Sequence, residues 1–243
     1  MAQAAVPGNL LLAAFERDEP GRLAPYLEPV DLARGAVLLE PGAAVERVWF
    51  PSGCVVALGA VVREGTVAGA AVGRDGAVGL AEALDGRRAL ARATVLVPGR
   101  AWRLPLGPLR AAAEASPAVR RLYEGYLDAL LAEALQSVSC NANHPAEARL
   151  ARWLLHLRDR VEDAVAASAE EFVVAMAGLA RPAAAEGLRG LERAGLVEYR
   201  GESVEVLDWR GLGTAACACY GVIRGSYERL LSGAPDWSGV GAR

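Results

Sequence analysis

The spacing of the apolar residues changes at Pro108, and this change sets the order of the fold. From Leu32 to Leu106 the sequence consists of short apolar runs, such as CVVALGAVV and ATVLV, separated by glycines. Runs of this length with regular turn signals are typical of a β-sandwich or a jelly-roll-like β-roll. After Pro108 the apolar residues recur at helical spacing. We therefore predict an α+β chain with two short lead-in helices, a β-roll and then a helical part.

A long helix is predicted to begin after Ser116. Ser116 is a suitable N-cap, Pro117 fits the first turn, and the apolar residues that follow cover more than one stripe of the helix. A face this broad needs two surfaces to bury it, and the β-roll together with a second copy of the chain is the simplest pair. Complete burial within one chain is the alternative. The residues predicted for the dimer helix are Leu122, Tyr126, Leu130, Leu131 and Leu135.

Residues 168–206 have the pattern of a winged helix-turn-helix. Ser168 and Glu171 form a capping box at the start of a short helix. Gly178 supplies a turn, and Pro182 fits the first turn of a second helix. Two β-leaning runs around Arg200 then form the wing. This pattern favours a DNA-binding domain whose second helix enters the major groove.

The composition excludes several classes of function. All 26 basic residues are Arg, so the chain lacks the Lys of a P-loop, a pyridoxal-phosphate site or a kinase-type phosphate site. The formal net charge is -3, so any surface for nucleic acid has to be a local patch. Motifs of the HExxH, GxSxG and GxGxxG types are absent, and no apolar run is long enough for a membrane span. We expect a cytoplasmic, non-enzymatic protein without a cofactor, a targeting segment or a membrane partner.

The cysteines and histidines show no recognised metal-binding spacing. They are Cys54, Cys140, Cys217, Cys219, His144 and His156. Because cysteine is among the most buried residue types, we interpret the thiols as buried and reduced, with a metal or redox site as the less favoured alternative. His144 is predicted to be a hinge or capping side chain, and His156 is predicted to lie on the surface. The sequence thus predicts no metal site.

Several segments, in the same order, resemble the bacterial Crp/Fnr superfamily of transcription regulators, the family of the cyclic-AMP receptor protein. They include VWFPSGCVVAL, VGRDGAVGL, HPAEARLARWLLHLRDR, ERAGLVEYRG and CACYGVIRGSYERLL, and they are similar to a branch without an established effector. The resemblance implies a cyclic-nucleotide-binding-type β-roll at 1–115, a dimerisation helix at 116–141, a winged helix-turn-helix at 142–232 and a flexible tail at 233–243. It also implies a homodimer on a twofold-symmetric site in double-stranded DNA, with RNA polymerase as a candidate partner.

The candidate effector pocket departs from the family pattern. Family members that bind cyclic nucleotides hold the ligand with a Gly-Glu pair and with an Arg that is followed by Ser or Ala. Here Ala77 follows Gly76, so the Glu is missing, and Arg92 with Ala93 stands at a longer spacing. Since a polar ligand group without a partner is costly to bury, we do not expect a response to cyclic AMP. The sequence leaves the effector open.

The predicted recognition helix begins Arg-Pro-Ala-Ala-Ala-Glu, which offers few groups to a base edge. Arg181 is the strong base-reading candidate, with a solvated side chain as the alternative, whereas alanine methyl groups contact thymine only weakly. Two hypotheses follow, a DNA-binding regulator of relaxed specificity and a dimeric scaffold that acts through protein contacts. The predicted DNA-binding residues, of which the last three are expected at phosphates, are Arg181, Pro182, Ala183, Ala185, Glu186, Arg189, Arg193 and Arg200.

Overall fold

The part of the chain before Pro108 forms a roll of two antiparallel sheets, which confirms the prediction. The computed structural model describes residues 8–232 except 64, 85, 87, 162–168 and 201–203. The strands of the roll are β1 (Glu28–Leu32), β2 (Val37–Leu39), β3 (Arg47–Pro51), β4 (Val55–Val62), β5 (Gly65–Val72), β6 (Arg92–Val97) and β7 (Gly99–Pro105). They pair in the orders β1-β7-β3 and β2-β6-β4-β5. Alternate apolar side chains such as Val48, Phe50 and Val95 are fully buried in the core of the roll.

One helix and one 3₁₀ turn precede the roll. Helix α1 (Leu10–Asp18) begins at Asn9, whose side chain accepts a hydrogen bond from the Leu12 N–H at 2.8 Å. The Asn9 amide also donates to the Pro51 and Gly76 carbonyls at 2.7 and 2.9 Å, so the cap attaches α1 to the roll. The second predicted lead-in helix is only a 3₁₀ turn over Ala24–Tyr26, because β1 begins two residues later.

The rest of the chain is mainly helical. Its elements are α2 (Leu106–Ala115), α3 (Pro117–Asn143), α4 (Ala146–Arg160), α5 (Ala169–Ala177), α6 (Arg181–Arg193), β8 (Val197–Tyr199), β9 (Val204–Val206), α7 (Trp209–Ala215) and α8 (Cys219–Leu231). Among the described residues, no helix has the length and apolar character that a membrane crossing requires. The tail at 233–243 lies outside the described residues.

The long helix α3 starts as predicted and packs one side against the roll. The Ser116 hydroxyl accepts a hydrogen bond from the Val119 N–H, and Pro117 occupies the first turn. Tyr126 is fully buried, and its hydroxyl donates to the Ala77 carbonyl at 2.8 Å. Leu122 lies in the same core. Leu122 and Tyr126 therefore face the core of their own chain, which corrects their assignment to the dimer contact.

The opposite side of α3 carries apolar side chains that the described part of the chain leaves exposed. Leu131, Leu135 and Val138 are 58%, 63% and 69% exposed. Their spacing of four and three residues places them on one face of the helix. Leu130 is partly buried against the core and lies between the two sides. The breadth of the apolar pattern thus divides into a core face and a solvent face.

Helix α4 is buried on nearly all sides, which overturns the prediction that His156 lies on the surface. Its apolar residues share a core with β4 and β5 of the roll and with α5, α6 and α7. The His156 ring is 2% exposed and lies 5.3 Å from the Trp153 ring and 5.1 Å from the Tyr220 ring. Burial, reinforced by the nearby Arg160 charge, holds the pKa of His156 well below its usual value. The imidazole is therefore neutral.

Candidate nucleic-acid interface

Helices α5 and α6 form the predicted helix-turn-helix. Gly178 has a φ of 61°, in the left-handed region that favours glycine, and it turns the chain between the two helices. Pro182 lies in the first turn of α6, and the side chains of Leu188 and Leu191 are buried against the rest of the domain. Ser168 of the predicted capping box, and residues 201–203 between β8 and β9, lie outside the described residues. The helices, the turn and the two strands of the wing confirm the predicted elements.

Arg149 of α4 fixes this turn from behind, which the sequence reasoning missed. Its guanidinium is nearly fully buried and donates to the carbonyl oxygens of Ala177 and Gly178. These carbonyls end α5, where the helix dipole is negative, so a cation is favourable there. A Cβ on Gly178 would also lie 2.9 Å from the Asn141 amide of α3. The turn is therefore packed against both α3 and α4.

The outward side chains of α6 differ in what they contact. Arg181 is exposed at the start of the helix and makes no hydrogen bond or ion pair with the described residues. Arg189 and Arg193 both form ion pairs with Glu186, at 3.6 and 3.0 Å. These contacts lower the pKa of Glu186, and Arg193 has the larger effect. In the wing, Arg200 pairs with Glu198 at 2.7 Å. Of the four arginines predicted to contact DNA, only Arg181 forms no ion pair with an acidic side chain among the described residues.

The alanines of the predicted recognition surface are not equivalent. Ala183 is exposed, Ala185 is half-buried, and Ala184 between them is fully buried against the domain. Ala183 is therefore the alanine that presents its methyl group freely next to Arg181. Pro182 is exposed as well. The start of α6 thus offers solvent one cation and a small apolar patch.

The four candidate effector residues are occupied by contacts within the chain. A Cβ on Gly76 would lie 2.8 Å from the Tyr126 ring, and the Ala77 N–H lies 3.2 Å from the Tyr126 hydroxyl. The Arg92 guanidinium donates to Glu40 at 2.9 Å and to the Thr66 hydroxyl at 3.3 Å. Ala93 is fully buried in its sheet. These residues pack the roll against α3 or stabilise its surface.

A buried ion network joins the roll, α3 and the DNA-binding domain. Arg160 at the end of α4 pairs with Asp75 of the roll at 3.1 Å and with Glu133 of α3 at 2.8 Å. Glu133 also accepts hydrogen bonds from the Tyr227 hydroxyl at 2.8 Å and from the Ala71 N–H at 3.2 Å. Burial raises the pKa of the Glu133 carboxyl, while the Arg160 charge opposes that rise. The residues of this network lie too far apart in sequence for a local pattern to reveal them.

A second group, at the junction of α3 and α8, brings together residues that the sequence left apart. Cys140 and His144 lie at the end of α3, and Cys217 and Cys219 precede or begin α8. One sulfur or ring-nitrogen atom from each of the four lies within 4.8 Å of the others. His144 caps the end of α3 through its backbone N–H, which donates to the Cys140 carbonyl at 3.0 Å, whereas the predicted capping side chain instead lies against the Cys219 sulfur. Cys54 is buried separately in the roll, where burial raises the pKa of its thiol to about 12.

Comparisons with known proteins agree with this arrangement. The model of the Crp-like helix-turn-helix domain family matches residues 148–215. A CRP/FNR-family transcriptional regulator from Thermus thermophilus is 26% identical, covers 78% of this chain and 98% of its own, and superposes with a TM-score of 0.62. FixK2 from Bradyrhizobium japonicum, at 17% identity, covers 79% of this chain and 98% of its own with a TM-score of 0.67, and therefore shows the fold. A search of curated proteins gave no match.

These matches agree with the sequence resemblance, with the fold and with the helix-turn-helix described above. They are matches to regulators and not to enzymes, in agreement with the sequence analysis. Residues 148–215 therefore form a Crp-like helix-turn-helix domain, and the chain as a whole resembles Crp/Fnr-type transcription regulators.

Proposed function

We propose that this protein is a homodimer that binds a twofold-symmetric DNA site with relaxed sequence specificity and without control by cyclic AMP. The main support for this proposal is the side chain of Arg181 at the start of α6, which is exposed and has no acidic partner among the described residues. The neighbouring Arg189 and Arg193, in contrast, are paired with Glu186. A free guanidinium at the start of a recognition helix is suited to the acceptor pair on guanine in the major groove.

The exposed face of α3 supports the dimer. Crp-family regulators bind DNA and function as dimers, and Leu131, Leu135 and Val138 are uncovered in a single chain. Two antiparallel or parallel copies of a 27-residue helix can bury this face along a contact of up to about 40 Å. Such a dimer would carry two copies of α6 related by a twofold axis, which requires half-sites about one helical turn, or roughly 34 Å, apart.

The charge pattern of α6 and the wing supports relaxed specificity. Glu186 engages Arg189 and Arg193, and Glu198 engages Arg200. These pairs are exposed and weak, so phosphates can compete for the arginines, but phosphate contacts carry no sequence information. Base reading then depends on Arg181, with Ala183 available to a thymine methyl group. Few positions of the operator should therefore be strongly constrained.

The packing around Gly76 and Ala77 supports independence from cyclic AMP. The Tyr126 side chain fills the space beside these residues and bonds to the Ala77 carbonyl. The Glu that would accept a ribose hydroxyl is absent at position 77, and Arg92 is paired with Glu40. A cyclic nucleotide would have to displace these contacts without gaining its usual partners. The effector, the target genes and any contact with RNA polymerase stay open predictions.

Selection of bound fragments from sheared genomic DNA by the purified protein, followed by affinity measurements at fixed salt, tests the proposal. Arg181→Ala should weaken binding to the best operator by about 1–3 kcal/mol, roughly 5- to 150-fold, and flatten the preference at one base pair per half-site. Arg200→Ala should weaken all sequences alike. Arg17→Ala, an exposed arginine on α1, is the matched control and should change nothing. An unchanged preference in Arg181→Ala refutes base reading by this residue.

The acidic partners of the arginines favour a second candidate function. With Glu186 and Glu198 neutralising three of the four arginines, the surface is a weak phosphate binder. A dimer that kept its scaffold and acts through protein contacts fits the same observation. Binding that disappears at moderate salt, with no fragment enriched in the selection, would support this candidate. A discrete operator would exclude it.

A further inference from the structure

We propose that Cys140, His144, Cys217 and Cys219 form a structural zinc site that ties the long helix to the DNA-binding domain. The site is independent of what sequence the protein reads on DNA. Three cysteine sulfurs and one imidazole nitrogen are a donor set typical of structural zinc, and all four ligand atoms lie within 4.8 Å of one another. In sequence the two pairs of ligands are separated by more than seventy residues, so only the fold brings them together.

Two of the distances within the group are close to those around a single tetrahedral ion. With zinc–sulfur bonds of about 2.3 Å and zinc–nitrogen bonds of about 2.0 Å, two sulfurs lie about 3.8 Å apart and a sulfur and a nitrogen about 3.5 Å apart. The Cys140 and Cys217 sulfurs are 3.5 Å apart, and the Cys219 sulfur is 3.5 Å from Nδ1 of His144. Small side-chain adjustments would complete the tetrahedron. An iron–sulfur cluster places its cysteines on different iron atoms and needs a wider set of ligands.

A buried cation beside the cysteines points independently to an anionic centre. Arg152 of α4 is fully buried, and its Nε and Nη2 atoms have no hydrogen-bond partner among the described residues. Its face stacks on the Trp153 ring at 4.3 Å, and its Nη1 reaches the Ser137 hydroxyl at 3.4 Å. An unpaired guanidinium is very costly to bury.

Zinc at this site would supply the missing counter-charge. An ion of charge +2 with three thiolates and one neutral imidazole leaves a net charge of -1, which balances one guanidinium. The acidic groups that act on the Arg152 charge are the thiols of Cys140, Cys217 and Cys219 and the Glu133 carboxyl, and Glu133 is already paired with Arg160. A zinc-bound group of thiolates would therefore compensate the buried charge of Arg152, and Arg152 would in turn stabilise the thiolates.

The surroundings of the ligands also suit a bound thiolate. The side-chain amide of Gln136 donates to the Cys219 sulfur at 3.0 Å. Hydrogen bonds of this kind orient metal-bound sulfur and stabilise its charge. Gln136 lies one turn before Cys140 on α3, so the same helix supplies a ligand and a hydrogen bond to another ligand.

The position of the site gives it a structural role. Asn141, next to Cys140, lies against Gly178 in the turn of the helix-turn-helix. An ion bound by Cys140, His144, Cys217 and Cys219 would therefore hold the end of α3 and the start of α8 together immediately behind that turn. Because the ligands are assembled only in the folded chain, the free energy of zinc binding adds to the stability of this junction.

Metal analysis of the full-length protein, purified under reducing conditions and passed through metal-free buffer, tests the site. We expect about one zinc ion per chain by inductively coupled plasma mass spectrometry. Cys140→Ser and Cys219→Ser should lose most of this zinc. Cys54→Ser, which changes a buried cysteine outside the group, is the matched control and should retain it. Full zinc content in Cys140→Ser, or iron with sulfide in the wild-type protein, overturns the proposal.

Two further measurements keep the test decisive if a ligand variant fails to fold. Cobalt substituted into the wild-type protein should give intense visible absorption, typical of tetrahedral sites, and a thiolate-to-cobalt charge-transfer band; weak octahedral absorption contradicts the site. Arg152→Met should weaken retention of zinc against a chelator about 10- to 100-fold. If this variant instead makes the protein more stable without affecting metal content, or if the isolated wild-type protein holds a Cys140–Cys217 disulfide and no zinc, the proposal is wrong.

Discussion

Replacement of Arg160 by methionine should be one of the most damaging single changes in this protein. Arg160 is 1% exposed, and it pairs with two carboxylates that are 4% and 0% exposed, those of Asp75 and Glu133. Methionine preserves much of the side-chain volume but leaves both carboxylates buried without their cation. Breaking a buried ion pair from one side costs about 3–5 kcal/mol. For a chain of this length each kcal/mol lowers Tm by about 2–4 °C, so a fall of roughly 6–20 °C is expected.

The remaining hydrogen bonds keep the expected loss within that range. Glu133 retains its contacts with the Tyr227 hydroxyl and the Ala71 N–H, and Asp75 still accepts from the Gly73 N–H at 3.1 Å. Removal of Arg160 also takes away a charge that holds the pKa of Glu133 down, so this pKa should rise further. A carboxyl whose folded pKa is raised stabilises the fold while protonated and loses that contribution as the pH rises through the folded pKa. The variant should therefore be least damaged at acidic pH.

Chemical denaturation followed by circular dichroism, at fixed protein concentration and several pH values, measures this loss. Arg103→Met removes an exposed partner of Glu28 and is the matched control, for which at most about 1 kcal/mol is expected. A variant that combines Arg160→Met with Glu133→Gln and Asp75→Asn removes the buried charges together and should recover much of the stability. A loss below about 1 kcal/mol in Arg160→Met, or no recovery in the combined variant, refutes this account of the network.

Two further predictions concern α4 and α3. Burial raises the pKa of Asp159 to about 6. The nearby Arg224, Tyr220 and Arg160 oppose this rise, and Asp75 adds a smaller one. Ionisation of Asp159 therefore lowers the free energy of unfolding by on the order of 3 kcal/mol. The stability of Asp159→Asn relative to wild type should therefore increase by about that amount between pH 4 and pH 7 in denaturation experiments, and a constant difference would contradict it. Leu135→Glu should convert a dimer to monomers in analytical ultracentrifugation without loss of fold, because Leu135 is 63% exposed and like charges would meet in the contact. Leu90→Glu, at a 74% exposed site outside α3, should leave the assembly unchanged, and a dimer that persists in Leu135→Glu would exclude this face.

The features that the sequence predicted correctly are those encoded by neighbouring residues. Ser116 with Pro117 specifies the start of α3, and Gly178 with Pro182 specifies the turn before α6. Each of these signals acts within one helical turn, where a cap, a fixed φ or a left-handed backbone decides the local structure. The change from short runs to helical spacing at Pro108 likewise reports local periodicity. The order of the domains followed from such signals without knowledge of tertiary contacts.

The features that the sequence did not predict depend on contacts between distant segments. In α4 the regularly spaced charged residues are typical of a solvated face, yet Arg149, Arg152 and Arg160 are all buried. Their partners lie on α3, on the helix-turn-helix turn and in the roll, so no window around α4 contains them. His156 was assigned to the surface for the same reason. The opposite error affected Leu122 and Tyr126, whose helical spacing could not distinguish the core of one chain from a contact between two.

The buried arginines of α4 provide several separate contacts that attach the DNA-binding domain to α3 and the roll. Arg149 holds the turn of the helix-turn-helix, Arg152 lies beside the cysteines at the end of α3, and Arg160 joins Asp75 to Glu133. A guanidinium can reach such distant partners because its long side chain carries five donors in a planar fork, and its charge is retained even when it is buried. Arg149 and Arg160 also penalise any displacement of α4, since movement would leave a buried charge without its partners. The recognition helix packs on α4 through Leu150 and Gly187, so the buried arginines that fix α4 also fix the position of that helix relative to α3 and the roll.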